Sequence, residues 1–97
     1  MTDITVSHNA AASRFEAHVE GERVGLMDYR THGNTLDLVH TEVDPEQQGQ
    51  GVASELVRGA LDTIRLEKMS IVPTCPYVGQ WLKRHEDYQD LLAPTAT

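Results

Sequence analysis

Two residues with chemically useful side chains stand next to predicted strand ends. Cys75 precedes Pro76, and proline favours the first turn of a helix while disfavouring helical geometry at the residue before it. Cys75 is therefore expected at a helix N-cap, where the helix dipole favours a nucleophilic thiolate. His40 lies near the end of an earlier strand, and imidazole exchanges a proton near neutral pH. These positions predict a nucleophile and a base, with a small buried thiol and a core histidine as the structural alternatives.

A third feature is the stretch Gln48-Gly49-Gln50-Gly51-Val52-Ala53, which stands between a predicted strand and a predicted helix. The first N–H groups of a helix lack intrahelical acceptors and carry partial positive charge. Glycines before the helix let a phosphate come close to those groups. The stretch has neither the Lys-Ser/Thr of a Walker A loop nor the GxGxxG spacing. It predicts a pyrophosphate-binding turn, and a ligand-free connection is the alternative.

Strands are expected where apolar and polar residues alternate. They are Ile4–Val6, Phe15–Val19, Val24–Tyr29 and Leu36–Val43. Gly21 and the stretch His32-Gly33-Asn34 predict the turns that join them.

The strand that carries His40 is expected to be central in the sheet. Strict alternation places Leu36, Leu38 and His40 on one face. It places Val39, Thr41 and Val43 on the other, so both faces of the strand are apolar.

Beyond this strand the period of the pattern changes to that of a helix. Apolar residues from Val52 to Ile64 follow helical spacing, Met69–Val72 predicts a buried strand, and Pro76 begins a second helix. The strand–helix–strand order predicts a parallel crossover. The predicted fold class is therefore α+β, a mostly antiparallel sheet with one parallel βαβ crossover and a C-terminal helix. Residues 1–92 are expected to form one domain and residues 93–97 a disordered tail.

The pattern Gln-x-x-Gly-x-Ala from Gln48 to Ala53 resembles the pyrophosphate loop of the GNAT superfamily of N-acetyltransferases. The order of strands and helices around it is similar to the GNAT core. The region from Leu36 to Leu92, including Pro73–Val78 and Leu82–His85, resembles a small single-domain branch that lacks the early helices of larger relatives. This chain lacks those helices too.

The resemblance implies a mode of binding for acetyl-CoA. The backbone of Thr41, Glu42 and Val43 would pair with the pantetheine arm, and an N–H near Val43 would polarise the thioester carbonyl. The turn would hold the pyrophosphate through Gln48, Gly49, Gln50, Gly51, Val52 and Ala53. Many relatives have Arg or Lys in this turn, whereas this chain has neutral glutamines. Lys83 and Arg84 would add positive charge, and Cys75 would lie at the mouth of the active site. Tyr77 is a candidate proton donor to the CoA thiolate, and a packing role is the favoured alternative.

Composition narrows the range of partners and locations. The chain has 97 residues and a formal net charge of −7, which disfavours nucleic acid and anionic membrane surfaces. The single cysteine, the absence of a signal peptide and the absence of about 18 consecutive apolar residues predict a cytoplasmic protein. The histidines lack metal-ligand spacing, so no metal is expected.

These features predict an acetyl-CoA-dependent N-acetyltransferase that acts on an amine, either directly or through acetyl-Cys75. A module that binds CoA without turnover is the alternative, and a structural βαβ domain without a ligand is a more remote one. The acidic surface favours a cationic amine as acceptor. The chain is expected to be a monomer or a weak homodimer.

Overall fold

Alternating polarity in the first half of the chain produces a meander of antiparallel strands. The computed structural model describes residues 3–47 and 51–93. In this part of the chain, β1 (Ile4–Asn9), β2 (Arg14–Val19), β3 (Glu22–His32), β4 (Thr35–Val43) and β5 (Ser70–Val72) lie in that order in one sheet. The first four strands pair antiparallel, and β5 pairs parallel to β4.

The connections between the antiparallel strands are short. Glu20 and Gly21 have φ values of 52° and 81°, the left-handed geometry of the two-residue turns that match strand twist. A 3₁₀ turn, Ala10–Ala12, joins β1 to β2. The described residues therefore contain no α-helix between the first two strands, as the resemblance to the small GNAT branch implied.

One face of the sheet is covered by helices and forms the core. Helix α1 (Val52–Leu66) joins β4 to β5 and buries the apolar side of its amphipathic surface. Helix α2 (Pro76–Lys83) follows β5 and buries Val78, Trp81 and Leu82 in the same core. The sequence did not predict the 3₁₀ helix Glu86–Leu91, which buries Tyr88 and Leu91.

The predicted α+β class and the parallel β4–α1–β5 crossover are confirmed. The tail was predicted to comprise residues 93–97. Its first residue, Ala93, donates a backbone hydrogen bond to the Ile71 carbonyl (2.8 Å), and residues 94–97 lie outside the described part. Within residues 3–47 and 51–93, no helix has the length and apolar character needed to cross a bilayer.

Strand β4 contains a β-bulge that reverses the expected faces. Asp28 pairs with His40 and Tyr29 pairs with Leu38, so Val39 is the extra residue. Side chains alternate along a strand, and one extra residue therefore moves every later side chain to the opposite face. Leu36 and Leu38 are buried, as expected, but His40 is exposed. The prediction that His40 shares a face with these leucines is wrong.

Close packing between α1 and β1 generates a test of the core. A Cβ atom added at Gly59 would lie 2.7 Å from the Cβ of Val6. Gly59→Ala should therefore lower the free energy of unfolding by about 1 kcal/mol or more, because overpacking exceeds the gain in helix propensity. Urea unfolding measures the effect.

Gly79→Ala is the matched control on α2. A Cβ atom there would be 3.9 Å from its nearest neighbour, the Pro73 carbonyl oxygen, so we expect a gain of about 0.4–1 kcal/mol. Equal effects of the two substitutions would contradict the close contact between α1 and β1.

Candidate functional site

Strands β4 and β5 part at the middle of β4. Their pairing covers only Thr35–Asp37 against Ser70–Val72. The Cys75 amide then donates to the Leu38 carbonyl (2.8 Å), and the chain leaves the sheet there. From residue 39 to residue 43, β4 has no partner strand on this side among the described residues. Such an edge offers main-chain groups to an extended ligand.

The start of α1 lies beside this free edge. Gly51 is the N-cap residue, with φ 79°, and no side chain caps the helix. The first N–H groups therefore have no intrahelical or capping partner in the described structure. They border a cavity of about 330 Å³ whose lining also includes β4 and α2 residues. The lining consists of Val43, Gln47, Gly51, Val52, Ala53, Ser54 and Tyr77.

The start of α2 reaches the same cavity. Cys75 is its N-cap residue, Pro76 is its first residue, and no side chain caps this helix either. Tyr77, in the first turn, is 41% exposed and lines the cavity. The first turns of both helices thus border one space beside the free edge. The positive end of the α1 dipole favours an anion there.

Cys75 lies on the core side of the site. Its side chain is buried, at 6% exposure, and its thiol donates to the Thr41 hydroxyl at 3.4 Å. Thr41 points to the core face because it follows the bulge at Val39. The bulge therefore gives the thiol its hydroxyl partner.

His40 lies on the other face of the same strand. Its side chain is 54% exposed, and its Nε2 atom is 3.7 Å from a carboxylate oxygen of Glu42. Neighbouring residues of a strand point in opposite directions, so His40 and Thr41 face opposite sides of β4. The structure consequently does not bring the two predicted catalytic side chains, His40 and Cys75, together.

A second cavity extends along α2. It has a volume of about 200 Å³ and shares Ser54 and Tyr77 with the first. We call it the α2 groove; it is lined by Ser54, Tyr77, Gln80, Trp81, Arg84 and His85. Burial raises the pKa of the Tyr77 phenol above its ordinary value, and the positive charge of Arg84 partly opposes this. Tyr77 therefore keeps its proton at neutral pH.

The predicted binding residues lie in several parts of the structure. Gly51, Val52, Ala53, Val43 and Tyr77 border the first cavity, and Arg84 borders the α2 groove. Thr41 and Glu42 lie on the free edge, and Lys83 is exposed outside both linings. Gln48, Gly49 and Gln50 lie outside the described residues.

Sequence reasoning missed several residues that line these cavities. None of Ser54, Gln80, Trp81 and His85 was predicted as a binding or catalytic residue. Tyr77, Trp81 and Arg84 follow one another at intervals of four and three residues, and His85 lies four residues after Trp81. Residues at this spacing lie along one side of a helix, so the sequence could have indicated a groove along α2. Within the described ranges, no group of three or more His, Cys, Asp or Glu side chains is arranged to hold a metal ion.

Comparison with known proteins agrees with this geometry. A family model described as GCN5-related N-acetyl-transferase matches residues 14–91. The chain belongs to the GCN5-related N-acetyltransferase family. Protein NATD1 of Xenopus tropicalis is 29% identical to it over 97 residues, covering 96% of this chain and 89% of that protein.

Solved structures share the fold of this GCN5-related domain. A GCN5-like protein from Staphylococcus aureus superposes with a TM-score of 0.71 at 22% identity, over 99% of this chain and 94% of the other. The PaiA N-acetyltransferase of Thermoplasma acidophilum, solved in complex with coenzyme A, has a TM-score of 0.56 at 14% identity. That match covers 75% of this chain and 48% of the other. The domain is thus a small GNAT-like fold.

The N-cap of α1 provides a test of the turn in this GNAT-like domain. Gly51 adopts the left-handed region, at φ 79°, which costs a residue with a Cβ atom about 1–2 kcal/mol. Gly51→Ala should lower the free energy of unfolding by this amount, as measured by urea titration.

Gly51→Asn separates backbone strain from side-chain bulk. Asparagine tolerates the left-handed region, so this larger residue should cost less than alanine. A greater loss with asparagine would contradict strain as the cause, since a Cβ atom at Gly51 meets no described atom within 4 Å.

Proposed function

We propose that this protein is an acetyl-CoA-dependent N-acetyltransferase that transfers the acetyl group directly to a cationic amine. The observation that carries the proposal is the cavity beside Val43, where the uncapped starts of α1 and α2 meet the free edge of β4. Its main-chain donors suit a diphosphate, and the free edge suits the amide groups of a pantetheine arm.

The arrangement supports a position for the thioester on the free edge of β4. The pantetheine arm would pair with the backbone of Thr41, Glu42 and Val43. An N–H near Val43 would then donate to the carbonyl oxygen of the acetyl group, on which negative charge develops during attack. Tyr77 lines the same cavity, and its phenol remains protonated at neutral pH because its pKa is raised.

The acceptor would approach from the opposite face of β4. His40 and Glu42 lie there, with their side chains 3.7 Å apart, and the net charge of −7 attracts a cationic amine. The amine would first release one proton to solvent, because only the neutral amine is a nucleophile. Its nitrogen then forms the new C–N bond, His40 takes the second proton from that nitrogen, the C–S bond of the thioester breaks, and the departing thiolate takes a proton from Tyr77. The proton held by His40 returns to Tyr77 through solvent, so that one proton is released in each turnover.

A route through acetyl-Cys75 is less well supported. Cys75 is 6% exposed, and its thiol contacts Thr41 on the face away from His40. An attack by this thiol would therefore lack the imidazole as its base. A module that binds CoA without turnover remains the second candidate, because the structure does not bring the two predicted catalytic side chains, His40 and Cys75, together.

Ala53→Glu tests where the coenzyme binds. The new carboxylate would enter the 330 Å³ cavity that Ala53 lines and would repel the phosphates. A negative charge near a helix N-terminus stabilises the fold, so the variant should stay folded. Saturating acetyl-CoA should raise the stability of the unmodified protein by about 2.7 kcal/mol at 100 times Kd. The variant should bind about tenfold or more weakly.

Ala11→Glu is the matched control, since it adds the same charge at an exposed position in the 3₁₀ turn before β2. It should bind acetyl-CoA like the unmodified protein. Thermal unfolding with and without ligand measures all three proteins. If acetyl-CoA leaves the melting temperature of the unmodified protein unchanged, the proposed function is wrong.

Kinetics and intact mass distinguish direct transfer from the covalent route. For direct transfer, His40→Gln should reduce kcat about 100-fold or more, the usual contribution of a general base, while Cys75→Ser should reduce it little. A protein incubated with acetyl-CoA alone should keep its mass. A gain of one acetyl group at Cys75, lost in Cys75→Ser, would overturn direct transfer. Binding without product over a panel of amines would favour the second candidate.

A further inference from the structure

The α2 groove continues away from the predicted position of the reacting thioester. Its lining begins at Ser54 and Tyr77, which it shares with the first cavity, and ends at Arg84 and His85. From residue 77 to residue 84 a helix rises about 10 Å. A ligand whose diphosphate lies at the start of α1 therefore has a path of nucleotide length along α2.

The wall of this groove is aromatic. The His85 ring stacks on the Trp81 indole, with centroids 3.7 Å apart and an angle of 10° between the planes. The Trp81 Nε1–H donates to the Ser54 hydroxyl (2.9 Å), and the His85 Nδ1 atom lies 2.7 Å from the Trp81 carbonyl oxygen. These contacts fix the rings in place. Trp81 itself is only 4% exposed, so the half-buried His85 ring presents the aromatic face of the groove. A flat heterocyclic base can stack on such a face without needing a particular hydrogen-bond pattern.

Arg84 is the cation of the α2 groove. Its side chain is exposed and lines the groove. Among the described residues, it forms no ion pair, whereas Arg14, Arg23 and Arg65 each have a carboxylate within 4 Å. An arginine left free in a chain of net charge −7 offers a planar fork that matches a phosphate monoester.

We infer that the α2 groove holds the adenosine 3′-phosphate end of CoA, with the adenine against the aromatic wall and the 3′-phosphate on Arg84. This inference rests on the proposed function, because it assumes that the diphosphate lies at the start of α1. Arg84 would then supply the positive charge for a phosphate group that the neutral glutamines of the turn before α1 lack. The protein selects CoA over coenzymes that lack the 3′-phosphate.

The test compares CoA with dephospho-CoA, which differs only by that phosphate. Trp81 is the only tryptophan of the chain, so its fluorescence reports binding in the groove, and calorimetry gives an independent Kd. The unmodified protein should bind CoA about tenfold or more tightly than dephospho-CoA, since a charge-assisted contact accounts for at least that factor. Equal affinities would overturn the inference.

Arg84→Gln should remove the preference. Its affinity for CoA should fall about tenfold or more, while its affinity for dephospho-CoA should change less than about twofold. Arg84→Lys keeps the charge but loses the fork, so it should retain part of the preference. Equal weakening of both ligands in Arg84→Gln would contradict a specific contact with the 3′-phosphate.

Arg30→Gln is the charge control, because Arg30 is an exposed arginine of β3 outside both cavities. Arg30→Gln should keep the full preference for CoA over dephospho-CoA. If it loses that preference as Arg84→Gln does, the effect comes from net charge and the assignment to Arg84 is overturned. If the unmodified protein binds neither ligand, both the inference and the proposed function fail. If it binds both equally, only the inference fails.

Discussion

Main-chain polar groups need hydrogen-bond partners, and in the described part of this domain one set of them without protein partners borders a cavity. Along most of the sheet the backbone pairs with neighbouring strands. In the second half of β4 one edge is free, and both adjacent helices begin without a side-chain cap. Every buried side-chain nitrogen and oxygen of the described residues has a partner. The free edge of β4 and the uncapped start of α1 therefore meet at the cavity beside Val43, where a ligand can hydrogen-bond to the main chain.

The rest of the domain makes this arrangement possible at small size. Helices α1 and α2 cover the same face of the sheet, so one core anchors the elements on both sides of the site. The opposite face carries ion pairs such as Arg14–Asp28 (2.9 Å) and stays polar. One face thus carries the core and borders the cavity beside Val43, while the other face carries charged side chains.

Local patterns predicted the elements of this fold. Alternation located the strands, helical spacing located α1, and Pro76 located the start of α2 with Cys75 at its N-cap. The bulge at Val39 could not be predicted, because it depends on the register between β3 and β4 rather than on the residues of β4 alone. The position of His40 was wrong for that reason. The α2 groove also depends on tertiary packing, since it forms where Ser54 of α1 meets Trp81 of α2.

The extra residue at Val39 divides β4 into two segments that differ in which side chains face the core. On the side of the hairpin turn, Leu36 and Leu38 fill the core, and their size and shape are constrained by packing. Beyond the bulge, the side chains of His40 and Glu42 are exposed and do not pack in the core. Substitutions at these outward positions therefore leave the hydrophobic interior of the domain unchanged, whatever their effect on activity.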